Sequence, residues 1–424
     1  MLSFGRRFIV ILVLFVSALP AAVMAGNVEY NVPMNHDWWW TAPERPQITV
    51  NVVNNDNVTR KCEVWLNVAT DQRVPVTEMS QCVTLQAGDS TAMQFLFDVV
   101  PGFYRCTVTG DGKEVKKFNI GFEPENIVSL PDAQPDFDEF WQRTIDELAA
   151  VDPEYSMTEE KDKSKKGGKV YLVKMKSLGG VEVQGYLTMP SAASKKHPMP
   201  VLVHYMGYGS KPWHAEPYEG MDRIEFVLST RGQGLNEPAN TYGDWAVYGL
   251  GDRDSFYYRG AFMDLIRAID FVCTLPEVDQ RYIFAEGGSQ GGAFTLVACS
   301  LDKRIRAAAP WIPFLSDYPD YFKIEHWPAE VILKKQQEIG LATGDLYKML
   351  SYFDVKNFTR RITCPILMGV GLQDPTCPPH TNFAGYNLIS SQKQFVIYPE
   401  CGHDTRHPDW DNRQREFFRK ITEM

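Results

Sequence analysis

A chain of 424 residues is longer than one hydrophobic core usually organises, and 44% apolar residues are ample for two, so disorder is excluded and two domains are expected. The net charge of −10 argues against nucleic acid and anionic membrane surfaces as partners. Eight scattered cysteines show neither the dense spacing of a disulfide scaffold nor the paired spacing of a zinc site, so no metal is expected and burial must hold the fold.

Residues 1–25 carry Arg6 and Arg7, then an apolar run from Phe8 to Pro20, then Val23 and Ala25 at the −3 and −1 positions of a cleavage site. This reads as a signal peptide cut after Ala25, and so as export to a periplasm or beyond. The run is short for a bilayer span, and no cysteine at the cut points to a lipoprotein, so no membrane contact is expected after cleavage. Loss of the two arginines takes the charge from −10 to −12.

From residue 26 to 123 the pattern has period two, in runs such as Gln47 to Val52, Cys62 to Val68, Met93 to Phe97, Tyr104 to Val108 and Val115 to Ile120. Turn signals separate the runs and no helical stretch intervenes, which predicts a small immunoglobulin-like β-sandwich. Parity places Cys62 and Cys106 on inward faces where they could meet across the sandwich. A disulfide and two buried free thiols both stay open. Tyr104, two residues before Cys106, has the spacing of a tyrosine corner.

Residues 124–135, with three prolines and several acids, read as a linker. From 136 to 424 strands and helices alternate, the mark of an α/β domain. A hairpin is expected from Val170 to Met189, then strands at Val201 to Tyr205, Glu225 to Ser229, Tyr282 to Ala285, Ile366 to Val370 and Gln394 to Tyr398. Helices are expected from Tyr258 to Leu275, from near Gly292, from Thr381 to Ile389 and from Trp410 to Ile421. The charge run Glu159 to Lys169 reads as a solvated, mobile loop.

Gly287-Gly-Ser-Gln-Gly291 falls between a strand and a helix, the context a nucleophile elbow requires. The glycines permit a strained turn that exposes the Ser289 hydroxyl, and the helix dipole behind it favours negative charge there. Alone, the pattern is equally a glycine-rich turn with a capping serine. Asp374 and His403 change that reading, because each follows a strand and they come in the order Ser, Asp, His of the α/β-hydrolase fold. Oxyanion donors are expected from the backbone N–H of Gln290 and from the loop around Gly207 and Tyr208.

Arg231-Gly-Gln, Tyr258-Arg-Gly, Phe271 to Asp279, the elbow itself, Ser351-Tyr-Phe-Asp and Gly371-Leu-Gln-Asp-Pro-Thr-Cys-Pro-Pro together resemble the acetyl xylan esterase / cephalosporin C deacetylase family, carbohydrate esterase family seven. The resemblance begins near Pro135 and runs to the carboxyl terminus. It implies a serine esterase that deacetylates acetylated oligosaccharides or other small acetyl esters without a cofactor. It implies Ser289, Asp374 and His403 as triad, Tyr208 and Gln290 as oxyanion donors, and Arg231, Gly232 and Gln233 as the family signature. Pro313, Phe314, Thr376 and Cys377 become acyl-pocket candidates, with Cys377 reduced rather than bonded to Cys401. The signature itself reads as a structural turn in which Arg231 braces loops.

Two departures stand out: Tyr205-Met-Gly-Tyr where the family tends to have Phe-His-Gly-Tyr, and His403-Asp404 where it has His-Glu. Asp404 is expected to brace its loop, against Arg231 or Arg406. The sandwich is extra to the catalytic core and puts the family's ring-like hexamer in question, leaving only a homo-oligomer of unspecified kind. Competing readings are a serine peptidase or other acyl hydrolase on the same scaffold, and a sugar-binding protein with a dead hydrolase domain whose Trp38-Trp-Trp run stacks on sugars. The run is expected to be packing surface instead.

Overall fold

The computed structural model describes residues 23–25, 27–403 and 405–423; the rest of the leader and Asp404 lie outside them. Among the described residues the amino-terminal part contains β1 (Val23–Ala25), β2 (Val28–Asn31), β3 (Trp39–Trp40), β4 (Gln47–Asn54), β5 (Arg60–Thr70), β6 (Pro75–Leu85), β7 (Ser90–Leu96), β8 (Gly102–Gly110) and β9 (Lys113–Phe122). They form a four-stranded sheet in the order β1-β2-β4-β7 and a five-stranded sheet in the order β3-β9-β8-β5-β6. Alternation drives this arrangement: Ile48, Val50 and Val52 from one sheet, and Val64, Leu66, Val108 and Ile120 from the other, are fully buried.

Cys62 and Cys106 do not meet. Their strands β5 and β8 are neighbours in one sheet, and Cys106 lies opposite Val68, six residues along β5 from Cys62. At about 3.4 Å per residue that separates them by roughly 20 Å, so both are free buried thiols. Inward parity was correctly expected, but it does not say which sheet a strand joins. The Tyr104 hydroxyl does donate to the Val100 carbonyl, at 2.6 Å. Strand β6 escapes the period-two reading because it is an edge strand with most residues exposed on both faces.

The second half is built on β10 (Ser156–Glu159), β11 (Gly168–Lys176), β12 (Glu182–Pro190), β13 (Met199–Tyr205), β14 (Ile224–Ser229), β15 (Val278–Gly288), β16 (Ile305–Trp311), β17 (Ile366–Gly371) and β18 (Lys393–Tyr398). The sheet order is β10-β11-β12-β14-β13-β15-β16-β17-β18, antiparallel up to the β12 and β14 pair and parallel from β14 onward. Strand β16 is hidden in the sequence because its Ala307-Ala-Ala309 core has low strand propensity. The charge run is shorter as a loop than expected, since Glu159 belongs to β10, and Gly168 and Lys169 to β11.

Helices Tyr257–Cys273 and Gln290–Leu301 are almost wholly buried; the second is apolar all round, whereas the first is amphipathic, as expected, with Phe262, Leu265, Ile269 and Val272 on one stripe and Arg259, Asp264, Arg267 and Asp270 opposite. Among the described residues, no helix is long and apolar enough to cross a membrane.

The two halves are fastened together. Trp38 and Trp40 are buried within the sandwich, while Trp39 packs against Phe383 and Phe395, each at 5.7 Å. The tryptophan run is therefore packing surface. The segment expected as a linker is also pinned: Asn387 donates to the Pro124 and Ile127 carbonyls, and Asn357 to Asp132.

Candidate active site

Strand β15 ends in the elbow, and Ser289 sits at φ 57, ψ −120, a strained conformation at the amino end of the helix Gln290–Leu301. The surrounding glycines are required by contact. A Cβ on Gly291 would stand 2.0 Å from the Tyr205 carbonyl oxygen, and one on Gly287 2.5 Å from the same atom. The backbone thus approaches β13 closely enough to hold the serine out at the sheet's carboxyl edge.

The Asp374 carboxylate, 1% exposed, accepts the N–H groups of Thr376 at 2.8 Å and Cys377 at 2.7 Å. Its oxygens face His403 Nδ1 at 3.0 and 3.1 Å. Cys377 joins this pair to the serine: its Sγ lies 3.5 Å from Ser289 Oγ and within 4.8 Å of ligand atoms of both Asp374 and His403. Burial, reinforced by the Asp374 carboxylate, pushes the Cys377 thiol well above its ordinary range, so it stays protonated. Cys377 and Cys401 are both free.

Gln290 is the first residue of its helix, so its N–H has no intrahelical acceptor and remains available. The loop bearing Tyr208 lies beside the elbow, where a Cβ on Gly207 would come 3.5 Å from the Gly288 carbonyl. The signature residues hold that loop. Gln233 accepts the Gly209 N–H at 3.0 Å, donates to the Tyr257 hydroxyl at 2.8 Å, and meets the Gln290 amide at 3.3 Å. Gly232 is left-handed at φ 69. Arg231 is buried and grips Asp264 through Nε at 3.0 Å and a terminal nitrogen at 2.7 Å. It braces helix to loop through Asp264, and Arg406 is bound by Asp411 at 2.6 Å and by Glu286 at 3.4 Å; the expected pairing of Asp404 lies outside the described residues.

Of the acyl-pocket candidates, Phe314 donates its N–H to the Ser289 carbonyl at 3.1 Å, and Asn382 anchors the Pro313 carbonyl at 2.8 Å. The Thr376 carbonyl accepts the Tyr321 hydroxyl at 2.8 Å. The sequence reading missed the aromatic wall beside them. Trp245 and Trp327 meet the Tyr208 ring edge-on at 5.0 and 5.3 Å, and Trp327 stacks on Phe314 at 5.6 Å. It also missed Asp264, for which an acid in the middle of an otherwise buried helix was an available signal, because a buried arginine needs one.

Among the described residues, two groups have metal-like spacing, Asp374 with Cys377 and His403, and Asp317 with Asp320 and His380. Existing pairs answer for both: a protonated thiol and the Asp374–His403 pair in the first, and Lys356, Lys323 and Asp71 bound to the second at 2.9, 2.8 and 2.7 Å.

Residues 127–421 match the family model for acetyl xylan esterase. Acetyl esterase Axe7A of Xylanibacter ruminicola is 30% identical over 418 residues, covering 92% of each chain, so the likeness extends into the amino-terminal sheets. Acetyl xylan esterase from Paenibacillus sp. R4 superposes with a TM-score of 0.64 at 29% identity, covering 70% of this chain and 98% of that one. Acetyl xylan esterase 1 from Thermoanaerobacterium sp. JW/SL YS485 gives 0.63 at 27%, covering 70% and 97%. The elbow, the acid and histidine loops and these likenesses converge: the chain belongs to the acetyl xylan esterase family.

Proposed function

We propose that this esterase removes acetyl groups from acetylated xylan or its oligosaccharides through an acyl-enzyme on Ser289. The observation that carries the reading is the convergence, around Cys377, of a strained, half-buried serine with a histidine held by a buried aspartate. Ser289 Oγ attacks the acetyl carbonyl carbon while His403 takes its proton and Asp374 stabilises the imidazolium. The oxyanion is received by the N–H groups of Gln290 and Tyr208. Collapse breaks the ester bond, and the departing sugar oxygen takes the proton from His403. Water, deprotonated by the same histidine, then attacks the acetyl-serine; the bond from Ser289 Oγ to the acetyl carbon breaks, Oγ takes the proton back from His403, and acetic acid leaves and ionises to acetate.

Pro313, Phe314, Thr376 and Cys377 form a short wall for the acetyl methyl. No cofactor enters this chemistry. Residues 1–25 act as an export leader, after which residues 26–123 form one domain and 136–424 the other. Cleavage after Ala25 would remove β1 and leave β2 as the sheet's edge.

Rates on acetyl, butyryl and peptide substrates and on acetylated xylo-oligosaccharides, for the wild type and Ser289→Ala, test the reading. Acetate release lost in a folded Ser289→Ala, typically by ~10⁶ in turnover, supports it. Faster peptide than acetate cleavage would overturn it.

A further inference from the structure

A hollow of about 720 Å³ lies on the outer face of the five-stranded sheet, away from the sandwich core. Its floor is a cross-strand row in which Glu78 on β6 faces Asn67 on β5, Asn67 faces Thr107 on β8, and Thr107 faces Lys117 on β9. With strands about 4.8 Å apart, the row spans roughly 14 Å. In the next row Ala69 faces Arg105, and a register shift between Val68 and Ala69 falls at the β5–β6 side of the hollow.

The chemistry of the floor selects among ligands. The side chains of Asn67, Glu78 and Thr107 make no hydrogen bond or ion pair with any described residue, so an amide, a carboxylate and a hydroxyl stand ready in one line. Nearby cations are already answered: Arg73 and Arg105 both bind Glu325, and Lys117 binds Glu114. A near-neutral surface offering donors and acceptors side by side suits the vicinal hydroxyls of a sugar chain. It does not suit a polyanion, which needs uncompensated positive charge, nor a peptide strand, which would pair with the free edge of β6.

Position gives the hollow a purpose. Arg105 and Asn119 at its end also line a small cavity that reaches Asp374, and Asn119 bonds Leu372 and Gln373 in the acid loop. We infer that this sheet face is a glycan-binding groove that holds the unsubstituted backbone of the polymer whose acetyl groups the catalytic half removes. The inference rests on the deacetylase reading for the identity of the glycan, and it adds a second, non-catalytic contact with the same chain.

The test is calorimetric titration of the full chain, in the Ser289→Ala form, with long xylo-oligosaccharides lacking acetyl groups, which offer the catalytic serine nothing to attack. Binding should weaken about tenfold in Asn67→Ala/Thr107→Ala and be lost in Thr107→Trp, which fills the hollow. The same groove substitutions in the active enzyme should leave kcat/KM on a small acetate ester unchanged, which also verifies that they fold. Absence of binding by the parent, equal binding by all forms, or a change in self-association instead of sugar affinity would each overturn the groove. Failure of the wild type to cleave a small acetate ester would strike the deacetylase reading alone, since the titration does not depend on turnover.

Discussion

Asn119 and Gln373 exchange hydrogen bonds across the two halves of the chain: the Asn119 N–H donates to Gln373 Oε1 at 2.7 Å, and Gln373 Nε2 donates back to the Asn119 carbonyl at 3.1 Å. Gln373 is the residue before Asp374, so strand β9 sets the pose of the acid loop. Replacing Gln373 by Ala should lower kcat on an acetate ester by about 10- to 100-fold while KM stays near wild type, because misplacing the acid disturbs the histidine more than the ester-binding wall. An unchanged kcat would detach the sandwich from catalysis.

Asp374→Asn should cost ~10⁴ in turnover, since an amide cannot stabilise the imidazolium and favours the wrong tautomer. Asp404→Asn should keep most activity, because Asp374 already faces both oxygens to His403 Nδ1. Steady-state rates of the two variants decide it, and the reverse ranking would name the other carboxylate.

Cys377 should resist alkylation at neutral pH. Its thiol is buried and held protonated, whereas Cys82 is exposed. Timed iodoacetamide labelling with peptide mapping should find Cys82 modified well before Cys377. Truncating the wall with Phe314→Ala should raise the butyrate-to-acetate rate ratio by about tenfold or more, the scale of one or two accommodated methylenes.

Thermal stability should fall as pH rises from about 6.5 towards 9 or 10. Burial alone would lower the His204 pKa, but the Glu286 and Glu225 carboxylates, at 2.5 and 2.8 Å, raise it to about 9. Burial would likewise lower the His380 pKa, but Asp320 and Asp71 outweigh it and raise the value to about 10. Both folded values exceed the unfolded one, so the folded state holds these protons more tightly; the stabilisation is complete below pH 6.5 and lost through the folded values. Calorimetric Tm across this range should decline less in His204→Gln than in the wild type.

The catalytic half was legible because its signals are local: an elbow with contact-enforced glycines, and an acid and a histidine each just past a strand. Loops after parallel strands gather at one edge whatever the intervening chain does. What stayed hidden depends on tertiary choice. Parity turned Cys62 and Cys106 inward yet could not say that β5 and β8 share a sheet. The wall of Trp245 and Trp327 is assembled from segments 82 residues apart, and nothing near either residue announces the other. Gln233 read as a turn residue because its task, clamping the Tyr208 loop, is performed by a side chain across space.

The position of Trp39 decides how the protein comes apart. Its indole lies among Phe103, Phe383 and Phe395, one ring from the sandwich and two from the hydrolase half. A shortened chain beginning after Phe122 would bare Phe383 and Phe395 to water, an aromatic patch of the kind that drives association. The catalytic half is therefore not expected to stay dispersed when expressed alone, and heating the intact protein should melt both halves in a single cooperative transition.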